Sequence, residues 1–335
     1  MRLRTILSLV LTLLLVTACG NRAEPSATLA PVGIDTAIPA QVLTPTAGTP
    51  LAILVLPTDL DPDTSNLYQK TVYDLSQQAG YRFQVLNSLT TNDLDPALKV
   101  VIAVSADPGI AQLAAAAPQA QFLAINIPNI TPGGNVSVLA NSTQTDMAAF
   151  LAGYSAAMTT EDYRIGMMMP KDNAQAIAAL NAFAKGMTYY CGTCKPVLFY
   201  SWTYPQYIEI PSTEDVNNYD AYADILMSQY KVGNIFLYPD IYTQDLATYI
   251  GTTGTSMIGT ISPEQRPAGW MMTIQPDVVK AIQNAWPQLS GGQGGLTIQS
   301  PLGLADIDPS LLSEGKQRMV EETLQKLQAG QIAIQ

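Results

Sequence analysis

From residue 51 onward, short apolar runs alternate with longer stretches of helical character. Seven runs of five or six residues are predicted to be strands: 51–56, 99–104, 121–126, 164–169, 196–200, 233–238 and 256–260. Five stretches between them are predicted to be helices: 65–79, 108–117, 172–186, 217–230 and 243–251. Continuous hydrophobicity over so few residues is typical of strands that are buried on both faces of a sheet. The pattern therefore predicts α/β structure.

The alternation of strand and helix predicts parallel sheets, because a helix must carry the chain back before the next parallel strand can begin. The alternation occurs in two series of similar size, separated near residue 160. The chain has 335 residues, of which 47% are hydrophobic, so it has enough apolar material for two cores. We therefore expect two doubly wound, Rossmann-like lobes.

Ligands of open α/β folds bind beyond the carboxyl ends of the strands, where loops and helix N-termini meet. This rule selects the polar or large residues that follow the predicted strands as candidates for ligand binding: Thr58, Asp59, Ser105, Asp107, Asn126, Met169, Ser201, Trp202, Tyr238, Asp240 and Ser262. Any one of them could instead be a helix cap or a turn residue. Trp202 is the strongest single candidate, because an aromatic ring can stack on a planar ligand.

The N-terminus has the pattern of an export signal. Residues 1–18 contain Arg2 and Arg4, then an apolar run that is too short to span a bilayer, then small residues. The tetrapeptide 16–19, Val-Thr-Ala-Cys, resembles the bacterial lipobox, which implies a lipid on Cys19. A plain signal or an uncleaved anchor is the alternative. Residues 19–50, rich in Pro, Thr and Ala, are predicted to be a flexible linker. The expected location is thus the extracytoplasmic face of a cell membrane, periplasmic or outer.

Charge and composition exclude several functions. The chain has 16 Lys and Arg against 27 Asp and Glu, and no basic cluster, so nucleic acid is not an expected partner. It has no histidine, which excludes serine–histidine and cysteine–histidine catalysis and histidine-bound metals. With three cysteines, no Cys₄ site can form either. We expect no cofactor, no metal and no enzymatic activity.

Cys191 and Cys194 form a Cys-Gly-Thr-Cys sequence that allows three interpretations: a redox dithiol, half of a zinc site or a structural disulfide. Zinc would need two further soft ligands. A redox motif should open a helix after a strand, whereas this one follows a predicted helix. The sequence therefore favours a disulfide that closes a turn.

Several stretches resemble the basic membrane protein family, lipoproteins that serve as nucleoside-type substrate-binding components of ABC importers. Residues 150–157, Phe-Leu-Ala-Gly-Tyr-Ser-Ala-Ala, followed by Arg-Ile-Gly at 164–166, are similar to the family's "FLAGYLAA … KIG". Residues 117–126 are similar to "YPDVKFAIID", and residues 301–316 to the family's C-terminal passage. The resemblance covers most of residues 50–335 in the same order.

The resemblance implies a type I periplasmic-binding-protein fold, in which three hinge crossovers join two lobes that close on a small molecule. On that template, lobe one takes 51–158 and 269–290, and lobe two takes 159–268 and 291–335. The glycine-rich stretch 291–295 would then lie at a crossover, as a hinge or as a turn without a mechanical role. The implied partners are a small-molecule ligand, the permease subunits of an ABC transporter and, through Cys19, the membrane.

The departures from the family concern the ligand. The family's glycine-rich opening loop corresponds to residues 59–69, which keep the leading acid and add Asn66 to the candidate site residues but lack the glycines. The acid that holds ribose in the family corresponds to Ile261, and its lysine falls near Ile274 and Gln275. Trp202 agrees with an aromatic found in several members. Nucleosides or related heterocycles are thus the ligand class that the resemblance implies, without the usual ribose contacts.

Two other functions remain open. A lipoprotein of the same fold could sense a ligand and signal to a membrane partner without transport, in which case a receptor kinase rather than a permease would be its partner. A carboxylate-based extracytoplasmic hydrolase is the other alternative, and turnover of a ligand by the pure protein would identify it.

Overall fold

The computed structural model describes residues 48–140, 144–160, 162–194 and 203–334. The predicted signal segment, Cys19 and nearly all of the predicted linker lie outside these residues. The predicted strand 196–200 and Trp202 also lie outside them.

The described residues form strands and helices in alternation. The strands are β1 Leu51–Val55, β2 Arg82–Leu86, β3 Leu98–Val104, β4 Gln121–Ile125, β5 Val136–Ala140, β6 Ile165–Pro170, β7 Gln206–Ile210, β8 Asn234–Leu237, β9 Ser256–Gly259, β10 Trp270–Pro276, β11 Thr297–Gln299 and β12 Leu302–Ala305. The helices are α1 Pro62–Gln78, α2 Ile110–Ala116, α3 Thr145–Thr159, α4 Ala174–Cys191, α5 Tyr219–Asp224, α6 Gln244–Thr252, α7 Val278–Ser290 and α8 Glu314–Gln328. One of these helices, α4, is long, but none of them is both long and apolar enough to cross a membrane.

The strands belong to two six-stranded sheets. The first has the order β11-β5-β4-β3-β1-β2, and the second has the order β12-β10-β9-β8-β6-β7. All named strand pairs are parallel except β10 with β12. The expectation of two α/β lobes with parallel sheets is therefore confirmed.

The first sheet explains why its central strands are apolar throughout. Alternate residues of β1 enter two different cores: Ala52 and Leu54 pack with helices α1 and α7, while Ile53 and Val55 pack with α2. Side chains alternate between the two faces of a strand, so a strand covered on both faces must be apolar at every position.

The core of the second sheet depends on a close contact between α3 and α4. Eleven residues of α3, from Ala148 to Met158, are buried. A Cβ on Gly153 would overlap the carbonyl of Phe183, and one on Gly186 would overlap the carbonyl of Phe150. The two helices therefore approach closely enough that only glycine fits where they cross.

The chain passes from one sheet to the other at positions that differ from the lobe boundaries implied by the resemblance. Helix α3 packs on the second sheet, β10 belongs to that sheet, α7 and β11 belong with the first sheet, and β12 returns to the second. We call residues 48–140 and 278–299 the first lobe, and 144–276 and 302–334 the second lobe. The boundaries placed after 158, 268 and 290 fall within lobes in this division, because α3 is apolar on all sides and is buried against α4.

The glycine-rich stretch 291–295 lies between α7 and β11, two elements of the first lobe, and not at a crossover. A Cβ on Gly294 would overlap the side chain of Gln121 and would lie 2.9 Å from the carbonyl oxygen of Gly134. The glycine at this position is explained by close packing against the loop before β5, not by hinge motion.

Helix α4 ends at the predicted disulfide. The structure joins Cys191 to Cys194, and Gly192 between them has a φ of 68°. The bond closes the turn that follows the helix.

Candidate functional site

Three chain crossings between the lobes lie side by side. The Ser300 backbone N–H donates to the carbonyl of Ala140 (3.4 Å), and the side-chain amide of Gln144 donates to the carbonyl of Ser300 (3.0 Å). The Asp277 N–H donates to the carbonyl of Pro301 (2.7 Å). The crossings are thus linked by hydrogen bonds into one narrow connection, the arrangement expected of a hinge.

A cleft of about 480 Å³ beside this connection is bordered by both lobes; we call it the interlobe cleft. Its lining residues come from α1, from the end of β10 with the start of α7, and from β12: Thr64, Leu67, Tyr68, Gln275, Pro276, Asp277, Val278, Val279, Gly303, Leu304 and Ala305. A molecule bound here would contact both lobes.

An N-cap and a proline fix the N-terminus of helix α1. Asp61 is the N-cap, and its carboxylate accepts from the backbone N–H (2.9 Å) and the hydroxyl (2.9 Å) of Thr64. These bonds lower the pKa of Asp61. Pro62 occupies the first helical position, where its missing N–H costs nothing. The sequence at the end of β1 thus places the first turns of α1 at the cleft.

Tyr68 is the most buried polar side chain of the interlobe cleft. It is 6% exposed, and its hydroxyl makes no hydrogen bond within the described part of the chain. Burial raises the pKa of Tyr68, so the hydroxyl is protonated at neutral pH and can donate to a ligand. Across the cleft, the side-chain oxygen of Gln275 accepts from the Ser262 hydroxyl (3.1 Å), which orients the amide.

A second cavity, of about 590 Å³, lies at the carboxyl ends of β6, β7 and β8; we call it the strand-end crevice. It is lined by Pro170, Lys171, Asp172, Asn173, Ala174, Ile210, Pro211, Ser212, Tyr219, Asp240 and Ile241. Asn173 caps α4 by accepting from the backbone N–H groups of Gln175 and Ala176. The Lys171 N–H donates to the carbonyl of Ile210 (2.8 Å). Backbone bonds thus hold the ends of β6 and β7 together at the crevice.

Tyr238 lies directly after β8 and is 3% exposed. Burial, and then the negative charges of Asp240 and Asp146, raise the pKa of Tyr238. Asp240 lines the strand-end crevice, whereas Tyr238 itself does not.

The candidate residues chosen from the sequence are distributed unevenly around these cavities. Asp240 lines the strand-end crevice, and Ser262 bonds to a lining residue of the interlobe cleft. Asn66 is exposed on α1, next to the lining residue Leu67. Met169 is 1% exposed, because its side chain packs in the hydrophobic core of the second lobe.

The candidates of the first lobe are exposed after their strands but line neither cavity: Thr58, Asp59, Ser105, Asp107 and Asn126. Asp107 caps α2 by accepting from the N–H of Gly109 and Ile110. Ser105 and Asn126 have φ values of 62° and 54°, so both are turn residues at the strand ends. Trp202 and Ser201 lie outside the described residues.

Several lining residues of the two cavities are not among the candidates chosen from the sequence. Lys171, Asp172 and Asn173 follow the strand predicted at 164–169, and the strand-end rule would have found them had it been carried past Pro170. The strand-end rule does not find Tyr68, which lies within α1, or Gln275, which lies within β10, because their place at the cleft depends on how the lobes meet.

Comparisons with known proteins bear on the fold. No protein-family model matches the sequence, and no curated protein matches it. A solute-binding protein of an ABC transporter system from Conexibacter woesei is 14% identical, with a TM-score of 0.55, covering 85% of this chain and 98% of that one. A transcriptional activator of the comK gene from Bacillus halodurans is 11% identical (TM-score 0.48, 83% and 96% covered).

A third similar structure is an ABC transporter solute-binding protein from Aeropyrum pernix, 14% identical with a TM-score of 0.43, covering 85% and 92% of the two chains. At these identities the similarity concerns the fold alone. The argument for the fold uses the Conexibacter protein, whose TM-score is above 0.5. Together with the two parallel sheets and the three adjacent crossings, this similarity shows that this chain has the type I periplasmic-binding-protein fold.

Proposed function

We propose that this chain is an extracytoplasmic solute-binding protein that captures a small polar or planar ligand between its lobes and delivers it to the permease of an ABC importer. The observation that carries the proposal is the interlobe cleft, bordered by both lobes next to three hydrogen-bonded crossings. The fold shared with the Conexibacter solute-binding protein supports it. The ligand leaves chemically unchanged, so the proposed role is not enzymatic.

The mechanism is closure about the crossings. A ligand that contacts only one lobe cannot favour the closed form, whereas one that contacts both is bound more tightly when the lobes approach. Tyr68 of the first lobe and Gln275 of the second lobe supply polar groups at the cleft, and Leu67 and Leu304 supply apolar surface. This mixture of a mainly apolar wall with a few polar groups is typical of small-molecule sites.

The ligand class that we propose from the resemblance to the basic membrane protein family is a nucleoside or related heterocycle. Its contacts must differ from those of the family. Ile261 is 41% exposed, Ile274 is buried in the core and Gln275 lines the cleft, so a neutral amide stands where the family has a charge. We propose that Gln275 and Tyr68, with the strand-end residues Asp240 and Ser262, take over the polar contacts.

We further propose that a lipid on Cys19 anchors the protein to the outer face of the cell membrane or to a periplasmic face. The lipobox resemblance at 16–19 supports the anchor, and the predicted linker 19–50 would let the lobes move near a permease. Replacing Cys19 with alanine is expected to move the protein from the membrane to the soluble fraction and to abolish labelling by a fatty acid. Membrane retention without the cysteine would contradict the anchor.

Replacing Tyr68 with phenylalanine tests the cleft. The change removes one hydroxyl that has no partner among the described residues, so the fold should be unaffected while ligand affinity falls by about 2- to 10-fold, the range for one lost hydrogen bond. The ligand would be identified by native mass spectrometry of the purified protein, and its dissociation constant measured by calorimetry.

The matched control is Tyr73→Phe, on the same helix but half-exposed and away from the cleft. Small-angle scattering should show a smaller radius of gyration when ligand is added. A ligand that binds equally well to the Tyr68 variant, without compaction, would argue against a site between the lobes.

A further inference from the structure

The hydroxyl of Thr260 is buried without a hydrogen-bond partner. Thr260 directly follows β9, and its Oγ1 atom bonds to no atom of the described chain. Other buried hydroxyls of the second lobe are paired: Ser155 donates to the carbonyl of Leu151 (2.8 Å), and Thr323 to that of Met319 (2.8 Å). An unpaired buried hydroxyl is unfavourable and rare in folded proteins, so it indicates a partner that the chain itself does not supply.

Thr260 lies between the two cavities of the candidate site. In the second sheet, β9 has β10 on one side and β8 on the other. The end of β10 supplies Gln275 to the interlobe cleft, and Asp240, shortly after β8, lines the strand-end crevice. Gly259 pairs with Thr273 of β10, so Thr260 lies one residue further toward the carboxyl ends of the strands, where ligands of open α/β sheets bind. A ligand that extends from the interlobe cleft along this edge therefore meets Thr260.

Rotation about one bond can bring this hydroxyl to the surface. Thr260 as a whole is partly exposed, although its hydroxyl oxygen is buried. The side chain of threonine occupies staggered positions about the Cα–Cβ bond, and a turn from one position to another can exchange the places of the methyl group and the hydroxyl. This turn breaks no hydrogen bond, because the hydroxyl has none. A new bond to a ligand would therefore add to the affinity without a bond being lost elsewhere.

The groups beside Thr260 at the ends of β9 and β10 are uncharged. The Ser262 hydroxyl donates to the side-chain oxygen of Gln275 (3.1 Å), which leaves the amide nitrogen to donate elsewhere. Asp277, beyond the end of β10, uses one oxygen to cap α7. A charged ligand group buried against neutral hydroxyl and amide groups would lose its hydration without gaining an opposite charge. Neutral oxygen groups avoid this cost, because a hydroxyl or carbonyl oxygen can accept from the threonine hydroxyl or the amide.

We propose that Thr260 is a ligand-binding residue of the second lobe, and that its hydroxyl pairs with an uncharged oxygen group of the ligand, a hydroxyl or a carbonyl. This inference rests on the proposed solute-binding function and adds a contact that the strand-end rule did not select. Tyr68 lines the interlobe cleft from the first lobe. A ligand that contacts Thr260 and Tyr68 together would hold the two lobes in the closed form.

Thr260→Val tests the contact, because valine has nearly the shape of threonine and lacks the hydroxyl. The full chain is tested with adenosine, uridine and D-ribose, and with any compound that mass spectrometry identifies as released from the purified protein. We expect the variant to bind the compound that the native protein binds about 2- to 10-fold less tightly, the range for one lost hydrogen bond. Its melting temperature should be unchanged or higher, since an unpaired buried hydroxyl has been removed. Thr260→Ser keeps the hydroxyl and should keep the affinity.

The matched control is Thr323→Val in α8, a buried position of the second lobe that lines neither cavity and whose hydroxyl is bonded within the fold. This control should lose melting temperature and keep the native affinity, the opposite of Thr260→Val. Calorimetry measures the affinities, and thermal unfolding measures the melting temperatures.

The outcomes separate this inference from the proposed function. Equal affinity in Thr260→Val and the native protein, a lower melting temperature of Thr260→Val, or a bound compound without a hydroxyl or carbonyl group would overturn the role of Thr260 while leaving a solute-binding protein. If no probe binds and the protein releases no compound, the solute-binding function fails and the inference fails with it.

Discussion

Replacing Gly186 with alanine is expected to lower the free energy of unfolding by about 3 kcal/mol or more, although alanine is the better helix former. The added methyl would overlap the carbonyl oxygen of Phe150 and lie 2.9 Å from the backbone nitrogen of Tyr154. Both neighbours are main-chain atoms and cannot rotate away. Helices α3 and α4 must therefore separate, which loosens the apolar layer that covers one face of the second sheet.

Thermal unfolding and denaturant titration measure this effect. The control is Gly315→Ala in the first turn of α8, where a Cβ would have no heavy atom within 4 Å. That change should be neutral or should stabilise by up to about 1 kcal/mol. If Gly186→Ala proved as stable as Gly315→Ala, the close approach of α3 and α4 described here would be wrong.

The close approach of α3 and α4 changes the interpretation of the sequence motif that first suggested a family. Gly153 is the glycine of Phe-Leu-Ala-Gly-Tyr, and its position is explained by the backbone of Phe183 passing over it. Tyr154, the next residue of α3, is also buried, and its ring packs on the ring of Tyr190 in α4. The motif therefore specifies helix packing, and a resemblance based on it supports the fold more strongly than the ligand.

Most of the strands that could be predicted are buried on both faces, but β10 is also largely buried and was missed, because Thr273 and Gln275 interrupt its apolar run. β1 and β3 were recognised because each residue faces one of two cores. β2 and β7 were missed because they are the outer strands of their sheets and are only partly buried. β11 and β12 have three and four residues, too few for a periodic pattern.

The site could be predicted only where it depends on local sequence. Asp240 follows a buried strand, so the strand-end rule finds it. Tyr68 lies in the middle of α1, and it becomes a lining residue only because β10 and β12 lie across the cleft. The crossings could not be placed, because the lobe that α3 joins is decided by its contact with α4, about 30 residues later in the chain.

Replacing Trp270 with alanine is expected to lower the free energy of unfolding by about 3 to 5 kcal/mol. The side chain is fully buried, and its ring fills the space over Gly259, where a Cβ would overlap it. The indole N–H donates to the hydroxyl of Thr273 (3.1 Å), which donates to the carboxylate of Asp306 (2.6 Å). Loss of the ring leaves a cavity and removes the N–H donor to the Thr273 hydroxyl, which keeps its own bond to Asp306.

The same change should weaken ligand binding, because Trp270 holds the strand that leads to the hinge. Thr273 pairs with Ala305, and Gln275 pairs with Gly303, in the antiparallel ladder of β10 and β12. Gln275, Gly303 and Ala305 all line the interlobe cleft. The bond from Thr273 to Asp306 therefore fixes the register of the two strands that form the second-lobe wall of the cleft.

Trp270→Phe separates the contribution of the buried ring to stability from that of the indole hydrogen bond. It keeps most of the buried ring but cannot donate to Thr273, so its loss of stability should be about 1 kcal/mol, the value of one hydrogen bond. Denaturant titration gives the stability of each variant, and calorimetry gives the affinity of whichever ligand the native protein binds. If Trp270→Ala lost stability but kept full affinity, the wall formed by β10 and β12 would not contact the ligand, and binding would depend on the strand-end crevice alone.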